Sequence, residues 1–306
     1  MKKLSIFSVS LAAILTFAFF SSYKGPDEKQ NEQEESIQSN RYGTIRPVEL
    51  PASMSFAGEP LPLDNFDVME RLDREMIINV YWPSTALANM KRAGRYFPMI
   101  ESILAEHGVP QDFKYLAIAE SGLKNATSSA GAKGIWQFMS KTAKYYGMVI
   151  DAEVDERYNI EKATESACKY LKGAHKKFGS WTLAAASYNM GEPRLQRMLK
   201  EQHVSSYYDV HLSEETLRYV FRIIAIKEIY SNKEKYGFDL RQEDLYKPFD
   251  NYSILQVNTP IASLADFAQK YGTTYRKLKL YNPWLKKPYL RNKSRRTYKI
   301  KIPKQD

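Results

Sequence analysis

Residues 115–146 read YLAIAESGLKNATSSAGAKGIWQFMSKTAKYY. From Pro110 into this stretch, Phe113, Leu116, Ala117 and Glu120 fall at i, i+3, i+4 and i+7, the spacing of one face of a helix. One acid therefore stands on an apolar face. A carboxylate held against hydrocarbon is pushed towards its neutral form, the state a general acid needs at neutral pH. Gly122 stops the helix almost at once, and Asn125, Ser128 and Ser129 lead into a polar turn. An acid at a helix end opening onto a Gly/Ser loop can meet a ligand. It can also be satisfied by backbone amides or an arginine, and the stretch taken alone favours that plain reading.

The surrounding motifs reverse that preference. Glu120-Ser121 is followed by Ser128, by GAKGIWQFM over 131–139, by Ala186-Ser187-Tyr188-Asn189-Met190-Gly191, and by Glu215-Thr216 with Tyr219-Val220. Four motifs in this order resemble the catalytic domain of the lytic transglycosylases, whose fold is related to goose-type lysozyme. The resemblance is strongest to the membrane-bound murein transglycosylase D branch, where Trp precedes the Gln. It covers roughly half of the chain.

That resemblance implies a single catalytic carboxylate, Glu120, in place of the usual glycosidase pair. It implies substrate contacts for Ser121, Ser128, Gln137, Tyr188 and Asn189, with Glu215 binding substrate or supporting the site. Each position also has a plain structural reading: turn chemistry for Ser128, helix-end hydrogen bonding for Tyr188 and Asn189, and a first-turn carboxylate facing the helix dipole for Glu215. Trp136 is divided between sugar stacking and core, with core favoured. Ser187 and Met190 stand where the family has alanines, which leaves the chemistry intact and alters the shape of the subsite.

The helical body is expected over 63–247, nearly all-α. Apolar positions predict helices over 67–80, 90–106, 161–177, 181–189 and 216–230, and Ser140 is a plausible N-cap for one ending at Tyr146. From Pro248 the pattern changes. Two short helical segments, around Leu264–Ala268 and Leu278–Leu280, precede the alternating run YKIKIP at 298–303. This resembles a LysM module, a small βααβ domain that binds N-acetylglucosamine-containing glycans. The departure is at 252–260, YSILQVNTP, where the usual first strand and Gly-Asp-Thr turn are replaced. The expected fold class is thus mainly α: a lysozyme-like all-helical catalytic domain followed by a small βααβ LysM-like domain over 248–306.

Length and composition agree. The 306 residues, 43% hydrophobic and 26% charged, can bury a full core and hold more than one domain. Lys2-Lys3 and the apolar run over 4–20 read as an export signal over 1–22, either cleaved or kept as a membrane anchor. No Cys lies nearby, so a lipid anchor is not supported. Residues 23–62 are polar and Pro-punctuated and read as a disordered tether. The expected location is the periplasm or cell envelope.

The only cysteine, Cys168, sits in a helical pattern and reads as core. The four histidines lack ligand spacing, so neither metal nor other cofactor is expected. Residues 271–306 hold twelve Lys/Arg and one Asp, so the net charge of +10 sits on the tail. Such a tail is drawn to anionic polymers. The expected partner is the glycan strand of peptidoglycan, not nucleic acid. Two other readings remain: a lysozyme that cleaves with water, and a non-catalytic glycan-binding scaffold.

Overall fold

The structure is a computed structural model that describes residues 45–304. The expected export segment over 1–22 and most of the expected tether lie outside the described residues. The chain divides at Pro47: residues 45–47 belong to the first unit, and Val48 onwards forms the second. Among the described residues no helix is long and apolar enough to cross a membrane.

Residues 48–62 correct the tether expected over 23–62. They form a strap with a two-residue hairpin, β1 (Ser55–Phe56) against β2 (Glu59–Pro60). Phe56 is fully buried and meets Phe113 edge to face at 5.2 Å, so this apolar residue anchors an otherwise polar segment.

Eight helices make the body: α1 (Phe66–Val80), α2 (Pro83–Glu106), α3 (Lys114–Ser121), α4 (Ser140–Tyr145), α5 (Ile160–Phe178), α6 (Trp181–Met190), α7 (Glu192–Glu201) and α8 (Glu214–Ser231). Asn65 caps α1, Asn159 caps α5 and Ser180 caps α6, each through its side-chain oxygen. Two differences from the sequence reading have local causes. Helix α2 starts seven residues before Met90, because Pro83 fits a first turn that needs no N–H. Helix α7 follows Gly191 at once, again with a proline in its first turn, and was not expected.

The core is one cluster in which α8 is central, with Tyr219, Val220, Phe221, Ile223, Ile224 and Ala225 all buried. Helix α8 packs along α1, α3 and α6. Cys168 lies fully buried in the same core, and burial pushes its thiol up to about 12, so it stays an inert, protonated packing group.

The C-terminal module runs β3 (Tyr252–Val257), α9 (Leu264–Lys270), α10 (Tyr275–Tyr281) and β4 (Tyr298–Pro303). The strands pair antiparallel, from Tyr252 opposite Pro303 to Val257 opposite Tyr298. The departing segment therefore does supply a first strand. Its alternation is faint because Ile254 and Gln256 face outward while Val257 enters the core. Asn282, fully buried, donates to the carbonyls of Leu278 and Lys301 and accepts from the Lys301 N–H, pinning α10 to β4.

Candidate active site

Helix α3 is short and apolar, and Gly122 ends it in the left-handed conformation at φ 58°. Its penultimate residue, Glu120, is thereby delivered half-buried to the rim of the core. Tyr219 of α8, itself buried, donates its O–H to Glu120 Oε1. Burial raises the Glu120 carboxyl to about 7, against the opposing pull of the Tyr219 hydrogen bond and of the Arg222 charge; Glu215 adds a small upward push. Near neutral pH this group both holds and releases a proton.

Arg222 is part of a network that sequence reasoning missed. Glu75 of α1 is fully buried, with Arg218 Nε 2.6 Å from its Oε1 and Arg222 Nε 3.6 Å from its Oε2. The acid on α1 thus fixes the arginine whose charge reaches Glu120. Its signal was present: Glu75 lies between the core positions Leu72 and Met76, the pattern that marked Glu120. Tyr219 stood inside a quoted motif, but its contact with an acid 99 residues away has no local signature.

The loop 131–138 faces α3. Ser121 Oγ donates to the Ile135 carbonyl at 2.8 Å, so this hydroxyl joins the helix end to the loop. Ser128 Oγ accepts the Ala132 N–H at 3.0 Å, closing the turn before it. Gly134, at φ 80°, could not be another residue, since a Cβ there would lie 1.9 Å from the Arg157 carbonyl oxygen. Trp136 is fully buried and donates from Nε1 to Thr164 Oγ1 at 2.9 Å, which places it in the core. Gln137 takes a positive φ of 49°, and its Nε2 donates to the Gly134 carbonyl at 2.7 Å. That leaves its Oε1 as the polar atom with which the side chain can accept.

Helix α6 carries the third group. Tyr188 donates its O–H to the Trp136 carbonyl at 2.8 Å and packs its ring 5.8 Å from Phe138. Burial, then the Glu120 charge, push its phenol well above the ordinary value, so it stays a donor. Asn189 accepts from Thr216 Oγ1 at 2.9 Å and lies 3.4 Å from Glu215 Oε1 through its Nδ2. Glu215 itself is exposed in the first turn of α8. Tyr219 pairs with Glu120, Asn189 joins Thr216 and Glu215, and Tyr188 bonds the carbonyl of Trp136, the residue before Gln137. Ser121 and Ser128 hold the loop. No group of three or more His, Cys, Asp or Glu side chains placed to hold a metal occurs among the described residues.

A family model for the transglycosylase SLT domain matches residues 98–210, and one for the soluble lytic transglycosylase C-terminal LysM-like domain matches residues 253–306. The membrane-bound lytic murein transglycosylase D of Escherichia coli (strain K12) is 29% identical over 201 residues, covering 64% of this chain and 44% of that protein. A putative tributyltin chloride resistance protein of Alteromonas sp. (strain M-1) is 28% identical over 122 residues, 39% of this chain and 59% of its own length. The crystal structure of the 70 kDa soluble lytic transglycosylase of Escherichia coli aligns with TM-score 0.39 at 21% identity, over 45% of this chain and 24% of its own. The chain spans less than half the length of the transglycosylase D relative.

Proposed function

We propose that this chain, in which a transglycosylase SLT domain leads into a LysM-like C-terminal domain, is a peptidoglycan lytic transglycosylase of the cell envelope. It cleaves the β-1,4 bond between N-acetylmuramic acid and N-acetylglucosamine and leaves a 1,6-anhydromuramoyl end. The observation that carries this reading is Glu120 itself: one carboxyl, raised to about 7, at a helix end beside a loop and a buried phenol.

A group with that affinity for protons can act twice in one turnover. Protonated Glu120 gives its proton to the glycosidic oxygen as the bond from that oxygen to C1 of the muramic acid breaks. The ionised carboxylate then takes the proton of the C6 hydroxyl as that oxygen bonds to C1. The proton returns to where it began and no water is consumed. The usual second carboxylate is not needed, because the substrate brings its own nucleophile. Tyr219 steadies the carboxylate between the two steps. Gln137, Tyr188 and Asn189 bind and orient the sugars, and the N-acetyl group of the same ring can assist at C1.

Peptidoglycan sacculi incubated with the protein should release muropeptides lighter by one water than hydrolytic products, read by mass spectrometry. Reducing ends instead would make the protein a muramidase that uses water. Retention on sacculi without release would make it a binding scaffold. Glu120→Gln should fold and release nothing, because an amide keeps the shape but has no proton to give; a folded Gln variant with full activity would falsify the assignment of Glu120.

A further inference from the structure

The module joins the body along a seam that leads straight to the substrate loop. Val154, from the segment between α4 and α5, is buried in the module's own core with Leu264, Leu278, Leu285, Leu290 and Ile300. It pairs with Leu285 as a β-bridge. The Asp155 N–H donates to the Trp284 carbonyl at 2.9 Å, and the Lys286 N–H to the Glu153 carbonyl at 2.7 Å. Glu153 Oε2 accepts the Arg291 N–H at 2.7 Å.

One residue further, the same segment grips the loop. Asp155 and Arg157 are both buried, and their side chains pair in the bidentate manner, Nε to Oδ1 at 2.9 Å and Nη2 to Oδ2 at 2.8 Å. The remaining nitrogen, Nη1, donates to the carbonyls of Gly131 at 3.0 Å and Phe138 at 3.1 Å. Those two carbonyls are the ends of the loop that presents Gln137. A planar guanidinium can fill both roles at once, and an ammonium cannot.

We infer that the C-terminal module is the outer support of the Gln137 loop: Trp284, Leu285 and Lys286 fix the segment 153–155, and Asp155 with Arg157 are positioning residues that clamp the loop at both ends. The structural part of this inference stands on the contacts alone. Its catalytic consequence rests on the transglycosylase reading.

The test is hydrogen–deuterium exchange by mass spectrometry on the full chain, with turnover on a short soluble glycan measured alongside. Three variants separate the clamp from the seam. Asp155→Asn and Arg157→Lys keep the module seated and loosen the clamp, while Val154→Asp opens the seam. All three should raise exchange over 131–138 by about tenfold, with α8 unchanged as the internal reference. They should lower kcat by about tenfold or more, with a smaller change in KM, because a displaced loop misaligns bound substrate. A merely stabilising role would lower the melting temperature without this loop-specific exchange. Should Val154→Asp not fold, Glu153→Ala takes its place by removing the acceptor of the Arg291 N–H. Unchanged exchange over 131–138 in Asp155→Asn, or in a variant whose module amides have loosened, overturns the inference. Exchange is read without substrate, so a loosened loop in a protein that makes no anhydro product would sink the functional reading and leave the support intact.

Discussion

Glu120 sits between opposed influences, and its behaviour follows from their balance. Its folded value of about 7 lies above the ordinary 4.5, so the native state holds the proton more tightly than the unfolded chain. Stability from this group is complete below about 4.5 and is lost as pH rises through 7. Glu120→Gln should therefore be more stable than the wild type at pH 8 by roughly 1–3 kcal/mol and no more stable at pH 4, as measured by thermal melts at both values. In the wild type, kcat/KM should fall above pH about 7, where the acid has lost its proton. Tyr219→Phe removes the hydrogen bond that favours the ionised form, so that falling limb should move to higher pH by about half a unit to one unit. An unmoved limb in the pH profile would separate Tyr219 from the titration. In the sequence Glu120 stood out as an acid on an apolar face, and only the motifs around it singled it out further. Glu75 stood on one too, yet what it does depends on Arg218 and Arg222, more than 140 residues away, and no spacing rule reaches that far.

Helix α6, which carries Tyr188 and Asn189, shows what element-level reading captures and misses. Its span was expected over 181–189 and is Trp181–Met190, with Ser180 as the cap at its start. What was not readable is that its N-terminus is held by Glu59 of the strap. The Glu59 carboxylate accepts from Ser180 Oγ at 2.8 Å, from the N–H groups of Trp181 at 2.5 Å and Thr182 at 3.0 Å, and from Thr182 Oγ1 at 2.6 Å. Burial works to raise this carboxyl, but the hydrogen bonds from Thr182, Trp181 and Ser180 outweigh it and hold the group below its ordinary value. Its contribution is thus present above the ordinary carboxylate range and lost as pH falls through the folded value. Glu59→Ala should cost about 1–3 kcal/mol at pH 7 by urea denaturation, a deficit that narrows as the wild type is acidified. A strap residue in a polar, Pro-punctuated stretch gives no sign of such a partner, since the stretch takes its order from Phe56 and from the helix end it caps.

At the scale of the whole molecule, the sequence pattern anticipated a helical body and a C-terminal βααβ module, because hydrophobic period and turn residues both change near Pro248. It did not foresee the seam, and read alone it makes the module a detachable glycan binder whose loss weakens sacculus binding more than turnover on short soluble glycans. Val154 alters that expectation. This residue belongs to the body by sequence and to the module by packing, and with the module removed its side chain and the N–H of Asp155 would face water. Ending the chain at Lys247 should therefore lower the stability of the body by about 2 kcal/mol or more, from lost apolar burial alone. It should also lower turnover on short soluble glycans, substrates too small to need a second binding domain, by about tenfold or more. Binding to sacculi should fall as well, since the twelve Lys/Arg of 271–306 are lost with the module. The three readings separate two roles: an adhesive tail gives weaker sacculus binding with unchanged melting and soluble turnover, whereas a module built into the active body loses all three together.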